Sequence, residues 1–171
     1  MADFNRLLPL ARTIIFGIVA FFSIIVLGIS AHLVSLPGPS PDYVNLALAT
    51  SILTLIALPI IFIIPLKRRG AAPSFVAVEV VTLWLLWILW LATGATIANW
   101  LPGLVFCNGG VCSELRAIEA FAFLNWLMLM FYSFVLLTLA VTAHHRGRTG
   151  VWKSSVPDFD WNHKSTGVVG V

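Results

Sequence analysis

The stretch Thr13–Leu36, TIIFGIVAFFSIIVLGISAHLVSL, decides the fold: over 24 residues it holds no Asp, Glu, Lys or Arg. A helix needs about 20 apolar residues to cross a hydrocarbon core of roughly 30 Å, so this run is long enough to span a bilayer. Three more follow at Tyr43–Leu66, Val80–Leu101 and Ala120–Ala143, each of 22 to 24 residues and each free of those four residue types. Backbone N–H and C=O groups in lipid must be satisfied within the protein, which leaves helices and closed barrels. A barrel strand alternates apolar and polar side chains over about 10 residues. These runs are continuous, and four transmembrane helices are expected.

The whole composition agrees. Of the 171 residues, 60% are hydrophobic and 10% charged, where soluble domains have roughly 45–50% and about 25%. The mean hydropathy is +0.99. A water-soluble chain of this kind would expose apolar patches prone to aggregation, so the bilayer is the solvent for most of it. The apolar run behind Arg6 and Arg12 exceeds the roughly 7–15 residues of a cleaved signal core, and reads as a retained signal anchor.

Orientation follows from Lys and Arg. Arg6 and Arg12 precede the first run, Lys67, Arg68 and Arg69 follow the second, and Arg146, Arg148, Lys153 and Lys164 follow the fourth. With four crossings these segments share one side and hold nine of the ten basic residues; Arg116 alone lies opposite. The positive-inside rule makes the basic side cytosolic. The net charge of +3 is then a topology signal, and nothing points to a nucleic-acid partner. The expected organisation is a short basic tail (1–12), an antiparallel up-down four-helix bundle (13–146, spans about 13–36, 43–66, 75–101 and 117–143) and a polar, flexible tail (147–171), with both termini cytosolic.

The first connection, Pro37-Gly38-Pro39-Ser40-Pro41-Asp42, is a proline-stiffened turn that cannot continue a helix. The third, roughly 99–116, carries the only cysteines, Cys107 and Cys112, around Asn108-Gly109-Gly110-Val111. Asn-Gly and Gly-Gly favour tight turns, and two cysteines across such a turn in an oxidising compartment are expected to form a disulfide. A redox role would call for Cys-x-x-Cys.

Polar groups inside a membrane are costly and mark candidate sites. Glu79 stands about one turn into the third span, within reach of Arg12 or the Lys67-Arg68-Arg69 cluster; an inter-subunit contact or a protonatable site is the alternative. Glu119 opens the fourth span, three residues after Arg116, where the helix dipole and an i, i+3 pair favour it. Asn125 shares a stripe with Tyr132 at i, i+7 and is expected to form an interhelical hydrogen bond. Trp84, Trp87 and Trp90 lie in mid-span, although Trp usually belongs to membrane interfaces. Gly94 and Ala98 follow them at small-xxx-small spacing, which permits close helix approach. These five positions read as ordinary packing, or as a lipid-facing or oligomer-forming face. Pro59 is expected to kink the second helix.

No chemistry of catalysis is visible. His32 and the pair His144, His145 end spans on opposite sides, so haem ligation at one depth is excluded. No metalloprotease, nucleophile-elbow or P-loop motif occurs. No catalytic residue, metal or cofactor is expected.

Four helices, a short first outer loop and a second bearing a close cysteine pair resemble the MARVEL-domain tetraspan proteins. Cys112-Ser113-Glu114-Leu115 through Glu119-Ala120-Phe121-Ala122-Phe123-Leu124-Asn125-Trp126 looks like the fungal members, as does Trp90-Leu91-Ala92-Thr93-Gly94-Ala95. The resemblance covers roughly residues 10–146. It implies a non-enzymatic membrane organiser of the plasma membrane or secretory and endosomal vesicles, acting in membrane apposition, vesicle traffic or lipid microdomains. Its partners would be lipids, further copies of itself and other membrane proteins. A small channel or transporter subunit and an accessory subunit of a larger complex stand as alternatives.

Overall fold

The computed structural model describes residues 4–37, 41–67, 75–100, 109–157 and 159–161. Four helices make up almost all of it: α1 (Phe4–Ser35), α2 (Asp42–Lys67), α3 (Val76–Trp100) and α4 (Gly110–His145), with a short 3-10 turn at Thr149–Lys153. All four are long and apolar enough to cross a membrane, and the described residues contain no strand. Each packs on its neighbours in a closed ring, α1 on α2, α2 on α3, α3 on α4 and α4 back on α1. The short connections make those neighbours antiparallel.

The buried stripes are continuous: Val19 and Val26 on α1, Leu58 on α2, Leu83 and Leu86 on α3, Ile118, Leu129 and Leu136 on α4. The outside is also apolar, with Phe21, Leu85 and Phe131 at least 60% exposed. With lipid outside, a bundle gains nothing from hiding hydrocarbon, and close packing with internal hydrogen bonds must hold it. Small hydroxyl residues therefore sit inside, satisfied by carbonyls one turn back: Ser23 by Val19, Ser30 by Val26 and Ser51 by Ala47, each at 2.7 Å.

Two helices overrun the charge-free segments. α1 begins at Phe4, so Arg12, counted above with the N-terminal tail, is a helical residue only 2% exposed. α4 begins at Gly110, seven residues ahead of the expected 117, and takes in Cys112, Glu114 and Arg116. The physical reason is in the polar contacts near the ends of the spans. His32 Nδ1 meets Glu114 Oε2 at 3.1 Å toward one end, and Arg12 meets Glu79 toward the other. On α1 these rungs are separated by 20 residues, about 30 Å of helix, which matches the hydrocarbon thickness. The α1 turns ahead of Arg12 can therefore carry Arg6 without entering lipid.

The C-terminal segment departs from expectation as well, since its first part is folded. Gly147, at φ 81°, reverses the chain after α4, with Gly147 N–H donating to His144 O at 3.0 Å and Arg148 N–H to Ala143 O at 3.1 Å. This is a Schellman stop, the conformation for which glycine is suited. Val151 and Val156 are then buried under the bundle. Ser154 O accepts from Val76 N–H at 3.0 Å, satisfying one of the free amides that open α3.

Candidate functional site

Arg12 and Glu79 form the one buried ion pair among the described residues, Nε to Oε1 at 2.8 Å with each side chain 3% exposed. α1 and α3 stand diagonally in the ring, so this pair crosses the bundle. Tyr132 of α4 donates its hydroxyl to the same Glu79 Oε1 at 3.1 Å. Arg12 Nη2 donates to Ile61 O of α2 at 2.6 Å. That carbonyl is available because Pro65, four residues on, has no N–H to give it. One arginine and one carboxylate therefore join all four helices.

Aromatic rings complete the rung. The Arg12 guanidinium lies 5.4 Å from the Phe16 ring centroid and 5.5 Å from that of Phe62, within the range of cation–π attraction. Phe16 meets Tyr132 edge-on at 5.7 Å. The charges are thus paired, hydrogen-bonded and sheathed, the conditions under which a buried pair is tolerated.

A second polar layer lies in mid-span. Trp90 is fully buried and donates Nε1–H to Thr54 Oγ1 at 3.0 Å. Thr50 and Thr93 meet hydroxyl to hydroxyl at 3.2 Å. Trp90 is therefore an interior residue and no part of a lipid or oligomer face. Trp84 packs against Phe134 of α4 at 5.6 Å and edge-on to Trp87 at 5.6 Å. Residues three apart on a helix fall about 60° short of a full turn, so the two steps from Trp84 to Trp90 turn about 120° around α3 and carry Trp90 into the interior. The outward stripe of α3 is Val78, Val81, Leu85 and Ile88.

The small residues are likewise turned inward. A Cβ on Gly94 would stand 3.2 Å from the Phe123 ring, so Gly94 is the seat of an α4 side chain; Ala98 beside it is half-buried. Asn125 is fully buried, yet neither atom of its amide has a hydrogen-bond partner, and the expected interhelical bond is not made. Its stripe-mate Tyr132 makes one instead. Glu119 is half-buried in the third turn of α4 and forms no ion pair with a described residue; Glu114 instead lies within hydrogen-bond distance of His32. Cys112 is buried in the first turn of α4, while Cys107 and its expected pairing lie outside the described residues.

The sequence points to Glu79 and to Arg12 as one of its candidate partners, but not to the rest of the assembly. Tyr132 carried a stripe signal without a partner, and the carbonyl at Ile61 is legible only through Pro65. Between α1 and α2, toward the Arg12 end, an apolar groove of about 300 Å³ is lined by Phe16, Gly17, Ala20, Leu58, Pro59 and Phe62 among others. Among the described residues no three His, Cys, Asp or Glu side chains converge as a metal site would require.

Neither a curated protein nor a solved structure matches the chain. The family model of MARVEL, a membrane-associating domain, matches residues 9–136, and with most of its length so covered this multi-pass membrane chain belongs to the MARVEL family.

Proposed function

We propose that this protein is a membrane-organising tetraspan that acts through its outer surface, associating laterally with copies of itself and with lipids. The carrying observation is the Arg12–Glu79 rung. It spends the buried charge of the bundle on tying the four helices together, with all described polar contacts of both groups directed inward. Such a body offers its neighbours a rigid apolar wall.

The orientation proposed is termini inward, toward the cytosol, on the strength of nine basic residues against one. The connection ahead of α4 then faces an oxidising compartment, and a Cys107–Cys112 disulfide is proposed to staple it. Lateral contact is assigned to the exposed α3 stripe of Val81, Leu85 and Ile88, flanked by half-buried Trp84 and Trp87. The groove at Gly17 and Ala20 faces hydrocarbon and fits an acyl chain.

Native mass spectrometry of protein released from membranes under mild conditions tests this. The expected result is a discrete homo-oligomer with retained lipid, dispersed by Val81→Ala, Leu85→Ala and Ile88→Ala together. A lone protomer, or one bound stoichiometrically to a different protein, would overturn the reading in favour of an accessory subunit. Ion flux in liposomes that is lost in Glu79→Gln would overturn it in favour of a channel.

A further inference from the structure

The end of the bundle at which α1 begins and α4 ends projects beyond the Arg12–Glu79 rung. α1 continues for eight residues past Arg12, to Phe4, and α4 for 13 past Tyr132, to His145. By helix rise these are about 12 and 20 Å, enough to cross a headgroup layer. The C-terminal segment folds back across that end and is tied to α1. Trp161 N–H donates to Asn5 Oδ1 at 2.6 Å, and Asn5 Nδ2 donates to Asp160 Oδ1 at 2.6 Å. Arg148 donates to Asp160 O and lies 4.1 Å from the Phe159 ring centroid.

This folding sorts the side chains into two classes. Of the segment's two acids, Asp158 lies outside the described residues and Asp160 is engaged by Asn5, while Arg148 is held over Phe159. Arg6, Arg146 and Lys153 are exposed and form no ion pair with a described residue, and His144 and His145 are exposed near them. Around them are apolar groups suited to an interface: Leu7 and Leu10 are 52% and 58% exposed, and Trp152, Phe159 and Trp161 are half-buried. Indole rings favour the headgroup level, and basic side chains there attract anionic lipid. A water-facing end would have no use for the exposed leucines.

We infer that this end is a docking surface for anionic phospholipid headgroups of the leaflet it faces, with Arg6, Arg146 and Lys153 as the phosphate contacts and the folded C-terminal segment holding two of them in place. The inference deepens the lipid association proposed above by naming the lipid's chemistry, and rests on that reading.

The test uses the full chain in nanodiscs of phosphatidylcholine with phosphatidylserine, the same in both leaflets so that insertion direction is irrelevant. Spin-labelled phosphatidylserine and phosphatidylcholine report which lipid is immobilised at the protein. Wild type is expected to select phosphatidylserine, and 1 M salt to abolish the selection, because exposed charges are screened within about 3 Å there. Arg6→Gln, Arg146→Gln and Lys153→Gln together are expected to lower the selection ratio at least fivefold, since one basic side chain near the surface is worth roughly that factor. Arg116→Gln, at the other end, should leave it unchanged. Equal immobilisation of both lipids by wild type, or selection that survives the triple substitution in protein of unchanged helicity, overturns the inference. Native mass spectrometry of the same samples separates the two proposals. An intact oligomer without lipid selection sinks only this one, and selection by a lone protomer sinks only the organiser reading.

Discussion

Arg12 and Glu79, 67 positions apart in sequence, meet at 2.8 Å across the diagonal of the bundle, and each also binds a third helix. Adjacent helices in the ring have long apolar seams to hold them; the diagonal helices have this rung. Removing one partner leaves the other charged and buried.

Arg12→Ala is therefore expected to destabilise by roughly 3–5 kcal/mol, the cost of an orphaned buried charge. Arg12→Met with Glu79→Met should recover most of that loss, because the desolvation penalty leaves with both charges. Thermal unfolding followed by circular dichroism in one detergent, for Arg12→Met, Glu79→Met and the double, measures the coupling. Additive losses would refute a direct pair.

Tyr132→Phe removes one hydrogen bond to a charged group and leaves the ring against Phe16. The expected loss is about 1.5–3 kcal/mol, and it should nearly vanish in a Glu79→Met background. The same unfolding assay checks it, and a loss that persists in that background would assign Tyr132 a role apart from the rung.

The architecture was legible in the sequence because a bilayer asks for length and continuity of apolar residues, and both are visible in a single chain. The helix ends were not. A criterion of no charge cuts α1 at Thr13: Arg12 is within reach of Glu79, but nothing local says that it is itself helical and buried. The tryptophans show the same limit. Their i, i+3 spacing was plain, but which way α3 is rotated depends on Thr54 and Phe134, on other helices. The folded C-terminal segment was hidden for a third reason: its polar composition reads as solvent-facing, while two isolated valines, Val151 and Val156, anchor it.

Gly94 faces the Phe123 ring, and a methyl there would sit 3.2 Å from it. Gly94→Ala is expected to cost about 1–3 kcal/mol through overpacking, offset in part by helix propensity, where Ala gains about 1 kcal/mol over Gly. Phe123→Leu in the same chain should relieve the clash. Unfolding midpoints of the two singles and the double decide the matter, and a Gly94→Ala chain as stable as wild type would show that the ring moves aside freely.

Asn125 supplies the sharpest contrast with sequence expectation. An asparagine in mid-span is normally retained for an interhelical bond, and its loss costs about 0.6–2 kcal/mol. Here neither amide atom is partnered, so the buried group carries its desolvation penalty with nothing returned. Asn125→Leu, close in volume and without polar atoms, is expected to leave stability unchanged or to raise it by about 1–3 kcal/mol, the penalty of an unsatisfied buried polar group. Asn125→Asp should be strongly destabilising, because it places an unpaired carboxylate at the same depth. Chemical unfolding in mixed micelles ranks the three proteins. A destabilised Asn125→Leu would mean that the amide is hydrogen-bonded in the membrane and that its polar atoms do contribute to stability.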